Sequence, residues 1–493
     1  MSCRNCGFVP EPQLQNLNTE SSDSLVSQIL CGSRPLLDSD HALLNADIVE
    51  LEQLQSLYDT QLEEIQLRRC AVLTALESRK SIYAPIHRLP RDILIEIFDS
   101  VCDSWWEEAD DVCLDVSGPL WVLGRVCGLW RDTLHSSPAS WAQKLVMQDP
   151  FSKDALEILQ TYLEHTGEHL LNLQILCGDS AGDHEILSLL VQSCQRWKNL
   201  RICASQFNMP HLESISQFPA LQTIDIRIHD VYGSDYHSDV CLGAPQLWRA
   251  SIRGQIKQIK LPPGITHFTG CITCPEDLHL LSKLPNLRWC HLWTNLASKE
   301  APVVTMSQLT HLYAKDMGIL DVLCAPLLSS LTFIAQGSQP LSTQESITRF
   351  LHRSRCHLES LSVSKAIFTS ATPSRVFALE ACSTISRLKV ELPPWTTSSV
   401  VEALSSPSVL PNLHHLILCI PQDPEDGWET ILHVVRSRRD AGLLKLVEVQ
   451  FGEEGFEYFY AADIWALTED DFEMRFEKWD PPRQDHLYLW HLS

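Results

Sequence analysis

Long apolar runs are what this 493-residue chain most lacks. No uninterrupted apolar stretch approaches the ~18 residues needed to cross a membrane. The opening Met1-Ser2-Cys3-Arg4-Asn5-Cys6 offers no hydrophobic segment of a secretory leader. Positive charge is short as well: 38 Lys and Arg face 62 Asp and Glu, a net charge of −24. That deficit excludes a general nucleic-acid binder, which needs a basic footprint on phosphates, and disfavours anionic membrane surfaces. Glycine is sparse, 19 residues against 27 prolines, few for an enzyme built on tight strand–helix turns. There is no Walker-type phosphate loop, dinucleotide fingerprint or HExxH. What remains as partners are basic or apolar protein surfaces.

Cysteine, by contrast, is plentiful, at 18 residues. Many lie inside apolar runs, which in an unsecreted chain reads as reduced, buried thiols and a cytoplasmic or nuclear setting. Cys3-x-x-Cys6 looks like half of a zinc knuckle, but a metal needs four converging ligands. No second pair lies near, and Cys271-x-x-Cys274 is far along the chain. No metal, cofactor or catalytic residue is predicted.

The chain divides into five stretches. Residues 1–40 are rich in Ser, Pro, Gln and Asn and read as disordered. Residues 41–84 read as one long amphipathic helix. Leu44, Leu51, Tyr58, Ile65 and Val72 fall seven apart, and Ile48, Leu62 and Leu76 form a second row broken by Gln55 and Arg69. Its seam needs a cover, either by folding back along the protein's own domains or by self-association as a coiled coil. Residues 85–147 carry two apolar helical stripes, the first from Ile93, Leu94, Ile97, Phe98 and Val101, the second from Leu120, Leu123, Val126, Cys127, Trp130 and Leu134. An acidic insert with Trp105-Trp106, from Asp103 to Ser117, separates them, reading as a solvated loop or as an aromatic anchor. Three short helices cannot bury all that surface alone.

Residues 148–450 repeat a Pro-x-Leu-x-x-Leu-x-Leu theme at intervals of roughly 20 to 30 residues. It is seen in Pro219–Ile226, Pro245–Ile252, Pro285–Leu292, Pro326–Leu331 and Pro411–Leu418. Less regular copies occur at Leu170–Ile175, Lys198–Ile202, Ser307–Leu312 and His357–Val363. Alternating leucines supply one inward face of a short strand, and the remainder returns as helix or turn. The theme is hard to place around Gly254–Cys274 and Ser383–Leu392. Residues 451–493, aromatic and acidic, suit a terminal cap. The predicted class is α+β: a long helix, three short helices, then an irregular α/β leucine-rich-repeat-like solenoid.

Leu89-Pro90, then Ile93-Leu94 and Ile97-Phe98, then Val126-Cys127-Gly128-Leu129-Trp130-Arg131 and Pro138 with Trp141, resemble an F-box. Asp92 stands where the family usually has glutamate. The order of elements is similar to F-box proteins found in mushroom-forming fungi. The resemblance implies a non-enzymatic substrate receptor of an SCF-type cullin–RING ubiquitin ligase. Leu89, Pro90, Ile93, Leu94, Ile97, Phe98, Leu123, Val126, Trp130 and Leu134 would dock on a Skp-family adaptor, with Trp130 and Phe98 as anchors. The repeats would hold a protein substrate, and an acidic solenoid favours a basic target over a phosphorylated one. Two alternatives stand beside it. One is a repeat-based interaction scaffold whose helices merely cap the repeats. The other is an esterase using Ser180 in Gly178-Asp179-Ser180-Ala181-Gly182, a nucleophile-elbow pattern between a strand-like and a helix-like run. His414-His415, inside a repeat strand, is not a metal site.

Overall fold

The structure is a computed structural model. It describes residues 20–478 apart from 109–113, 115, 117, 149–150, 177–183, 206–211, 230–237, 255–258, 295–301, 335–339, 365–375, 378, 392–403, 421–427, 443 and 452–471. The chain divides into two compact units, Met1–Pro90 and Arg91–Ser493. The boundary falls inside the 85–147 segment predicted as one domain.

In the first unit, helix α1 (Glu20–Leu30) precedes helix α2 (Asp38–Ser81). Part of the segment predicted as disordered, 1–40, is therefore helical, while Cys3 and Cys6 lie outside the described residues. α2 spans 44 residues, about 66 Å at 1.5 Å per residue. Its start is fixed by Asp40, which accepts the Leu37 N–H at 3.1 Å and pairs with Arg34 at 2.9 Å. Asp38 and Asp40 in the first turn and Arg79 and Lys80 in the last oppose the helix dipole favourably. Leu51, Tyr58, Ile65 and Val72 are all exposed. Among the described residues of this unit, none covers these seam positions.

The second unit opens with four helices: α3 (Arg91–Glu108), α4 (Pro119–Val126), α5 (Gly128–His135) and α6 (Pro138–Ala142). The sequence predicts three. α3 also runs through Asp103–Glu108, so the backbone there is helix and not insert loop. Leu94, Phe98 and Cys102, spaced four apart, form its buried stripe. Trp141 ties the short helices to α7 (Ala155–His165). Its Nε1 donates to the Leu134 carbonyl at 3.0 Å, and its ring meets Trp121, Tyr162 and His165 at 5.7, 5.0 and 4.7 Å.

Strands dominate the remainder, with helices between some of them; α7 lies between the first two strands. In chain order they are β1 (Leu145–Gln148), β2 (Leu171–Leu176), α8 (His184–Val191), β3 (Trp197–Ser205), β4 (Thr223–His229), β5 (Arg249–Arg253), β6 (His267–Ile272), α9 (Pro275–Ser282), β7 (Trp289–Thr294), β8 (Val304–Thr305), β9 (His311–Ala314), α10 (Met317–Val322), β10 (Leu323–Cys324), β11 (Ser330–Phe333), α11 (Pro340–Ser354), β12 (Ser360–Val363), β13 (Arg387–Glu391), β14 (His415–Ile420), α12 (Trp428–Asp440), β15 (Leu446–Phe451) and β16 (Glu473–Lys478). All strands but β8 and β10, which pair with each other, form one fourteen-stranded sheet. Its strand order follows the chain, and every neighbouring pair is parallel.

The leucine theme explains this register. In Pro219–Ile226, Leu221 is buried before the strand while Ile224 and Ile226 point to the same side within it. Across the sheet these positions align: Leu200, Ile224, Ala250, Phe268, Cys290 and Leu312 are consecutive partners, all buried. The two stretches where the theme is hard to place supply β6 and β13. In β6, Phe268 and Gly270 replace two aliphatic residues. A Cβ at Gly270 would fall 2.7 Å from the Phe268 ring, so the missing side chain makes room for the oversized one. The sheet begins at Leu145, inside the span predicted for the short helices. The tail predicted as a cap contributes β16, a further strand.

Nine carbonyls in succession, from Gln222 to His414, each accept two consecutive backbone N–H groups at the start of the next strand. The Arg288 carbonyl, for example, takes those of Thr310 (2.9 Å) and His311 (3.0 Å). Away from the sheet, arginines gather carbonyls left over by the preceding segment. Arg353 Nε and Nη2 reach the Leu323 carbonyl at 3.1 and 2.7 Å, and Nη2 reaches that of Leu320. Arg438, wholly buried, donates to the carbonyls of Leu404 (2.6 Å), Ser406 (3.0 Å), Leu410 (3.0 Å) and Val409. Leu410 sits at φ +53°, a strained conformation for a branched side chain, and this clamp holds it. Burial pushes the Arg438 guanidinium down to about 10, still charged at neutral pH. Arg438→Met leaves four carbonyls without their donor, each worth about 1 kcal/mol or more when buried. Urea melts should show a loss of at least about 3 kcal/mol, and Arg438→Lys, lacking the fork, should recover little of it.

Candidate functional site

The side of the sheet opposite the buried rows carries the chemistry. Three rows run along it, and the register fixes their members. The first passes through Asn172, Asn199, Thr223, Arg249, His267, Trp289, His311 and Ser330. The second holds Gln174, Arg201, Asp225, Ser251, Thr269, His291, Tyr313 and Thr332. The third includes Cys203, Arg227 and Arg253 on β3 to β5, and Cys271 and Trp293 on β6 and β7.

At the β2 end the first row is an amide ladder. Asn172 Nδ2 donates to the Gln143 carbonyl (2.6 Å), Asn199 Nδ2 to Asn172 Oδ1 (2.6 Å), and Thr223 Oγ1 to Asn199 Oδ1 (2.7 Å). A shallow groove of about 360 Å³ lies over it. Ser251 lines that groove, and its Oγ is buried without a hydrogen-bond partner.

At the centre the same row becomes aromatic. His267 and Trp289 stack with centroids 5.3 Å apart and planes 11° from parallel; Trp289 and His311 stack at 3.4 Å and 10°. Threonines steady both imidazoles: Thr266 Oγ1 lies 2.8 Å from His267 Nδ1, and Thr310 Oγ1 lies 2.9 Å from His311 Nδ1. In the next row His291 meets Tyr313 edge to face at 4.0 Å. These residues line a second, shallow groove with Arg249 at its end. Burial, together with Lys315, Arg253 and Arg249, pushes the His291 imidazole down to about 3. It is neutral at physiological pH, and its Nε2 is buried without a hydrogen-bond partner. Sequence reasoning missed this cluster. The signal was there: His267, Trp289 and His311 each begin a strand, and two of the three follow a threonine.

The residues predicted to dock a partner separate into two groups. Leu94, Phe98, Leu123 and Leu134 are buried in the helices' own interior. Phe98 is therefore a core residue and not a surface anchor, its ring 5.0 Å from that of the half-buried Trp130. Outward lie Ile93, with the half-buried Ile97 and then Val101, four apart on α3, and Val122 and Val126, four apart on α4. Leu89 is half-buried and Pro90 exposed at the end of the first unit. The Trp105-Trp106 side chains and the Gly178–Gly182 pattern with Ser180 lie outside the described residues. His415 bonds Glu448 at 3.0 Å, and no group of residues able to hold a metal occurs among the described residues. Nor is any described helix long and apolar enough to cross a membrane.

Comparison of the sequence with protein-family models and with curated proteins returns no match.

The depressed His291 predicts an acid sensitivity with a definite sign. Below pH 6.5 the unfolded chain binds a proton there that the folded chain refuses until about pH 3. Stability therefore falls as pH drops through that window and is unaffected by this group above it. Between pH 7 and 4.5 the wild type should lose about 2 kcal/mol more than His291→Gln in parallel urea melts.

Proposed function

We propose that the protein is a substrate receptor of an SCF-type cullin–RING ubiquitin ligase. In this reading the parallel sheet is one wall of a leucine-rich-repeat-like solenoid, and the helices before it are an F-box. The observation that carries it is the order Leu89-Pro90, Ile93–Phe98, Val126-Cys127-x-x-Trp130-Arg131, leading directly into a long parallel sheet. The outward rows on α3 and α4 support it. Val122 and Val126 stand exposed, as do Ile93 and Val101, and together they offer apolar surface that an adaptor would cover. No group here would perform bond chemistry; the gain is the local concentration and orientation of a target near a ubiquitin-loaded enzyme.

Buried and exposed positions give the test its contrast. Ile93→Asp and Val126→Asp should abolish capture of the full-length protein by a Skp-family adaptor while leaving its thermal melt near that of wild type. Phe98→Ala should cost about 3–5 kcal/mol of stability by opening a cavity. Failure of well-folded wild type to bind the adaptor would leave the scaffold reading, in which these helices only close the end of the sheet.

A further inference from the structure

The chain as a whole is acidic, but the centre of its open sheet face is not. Among the described residues of the three rows between β3 and β11, the cations are Arg201, Arg227, Arg249 and Arg253, and Lys315 comes directly after β9. The one carboxylate among those same residues is Asp225, 3.4 Å from Arg201. Asp316, next to Lys315, is occupied accepting the Thr294 N–H at 2.6 Å. Acidic residues return farther along, with Glu448, Glu473 and Glu477 on the last two strands.

We propose that this central face binds an acidic polypeptide segment, its carboxylates or phosphates held by Arg249 and Arg253 and its chain lying along the His267–Trp289–His311 stack. The proposal rests on the receptor reading, in which the sheet receives the target, and it names that target's chemistry. It departs from what bulk charge suggests, which is a basic partner.

Three observations converge on an anion. Guanidinium forks match carboxylate and phosphate geometry in pairs; Arg249 lines the groove, and Arg253 follows it on β5 on the same side of the sheet. Within the stack Trp289 has an imidazole against each face, so what it turns toward the groove is its edge, which carries positive partial charge. A buried donor lies in the adjoining groove: Ser251 Oγ lacks a hydrogen-bond partner there, and Arg249 lines both grooves. Burial is the main cause of the low basicity of His291, and Lys315, Arg253 and Arg249 add to it.

The same features argue against a nucleic acid. Sequence-tolerant binding of single strands needs open ring faces on which bases stack, and here both faces of Trp289 are taken. A long polyanion would also run from the cationic centre onto the glutamates of β15 and β16 and meet the −24 charge of the chain. A short acidic segment avoids both penalties.

The test uses the full-length protein and fluorescein-labelled 12-residue peptides in polarisation assays. One peptide carries four Asp-Glu pairs in a Gly-Ser background, one carries phosphoserines, and one carries lysines; a 12-nucleotide single-stranded RNA is the fourth probe. Binding by either acidic peptide, weakened steeply by salt, is the expected result; which of the two binds tells carboxylate from phosphate. Arg249→Gln/Arg253→Gln should weaken it about tenfold or more, while Arg387→Gln on β13 should not. The salt titration of wild type keeps the test decisive if the double variant melts early. Tighter binding of the lysine peptide or of RNA, or no binding by either acidic peptide, overturns the proposal. Adaptor capture by the same double variant, measured alongside, should be unchanged; capture of wild type reports on the ligase reading separately.

Discussion

From β5 to β15, each strand of the large sheet is entered by two amide hydrogens given to a single carbonyl at the start of the strand before it. This shared acceptor governs the geometry of both faces. It pins neighbouring strands at one register, with no slip of a single residue that would turn the buried leucines outward. Once register is fixed, the spacing between strands, about 4.8 Å, becomes the spacing between side chains in a row. Planar groups at one height are then held in contact, stacked in the first row and edge to face in the second. The His267–Trp289–His311 column is thus a product of backbone geometry before it is a product of any attraction between rings.

The same constraint explains the two kinds of row. On the buried side, identical spacing favours branched aliphatic side chains that interlock, and the exceptions compensate one another, as Phe268 does with Gly270. On the open side, nothing demands apolarity, so the rows change character along the sheet: amides near β2 and β3, arginines and aromatic rings at the centre, mixed charges at β13 to β16. A chain strongly acidic in sum can carry a cationic centre because net charge is a total and a face is a selection.

Much of the sheet was legible in the sequence. All nine copies of the leucine theme fall on strands, because that theme records the inward side chains directly. β6 and β13 were obscure because the inward positions tolerate Phe, Gly and Ile, which break the leucine pattern without breaking the packing. The long helix was legible from its period and its missing Gly and Pro, though not its start, which depends on Arg34 meeting Asp40. Among the short helices the apolar residues were identified correctly but not their sides. Ile93 and Leu94 are adjacent in sequence and equally apolar, yet one faces out and the other in. Periodicity marks a wide stripe; it does not say which half of the stripe the protein itself consumes. The open-face cluster escaped for a different reason: its members come from separate strands, and only the register brings them together.

The arginines behind the sheet impose a direction in time. Arg196 reaches back 30 residues to Thr166, Arg353 the same distance to Leu323, and Arg438 reaches back 34 to Leu404. In each case the polar groups of a segment are satisfied by a side chain that belongs to the next one. During synthesis a segment emerges before its own clamp exists, and at about 5–20 residues per second it waits a few seconds for the ribosome to deliver it. At these three places the protein is completed from behind, a segment remaining provisional until its successor arrives.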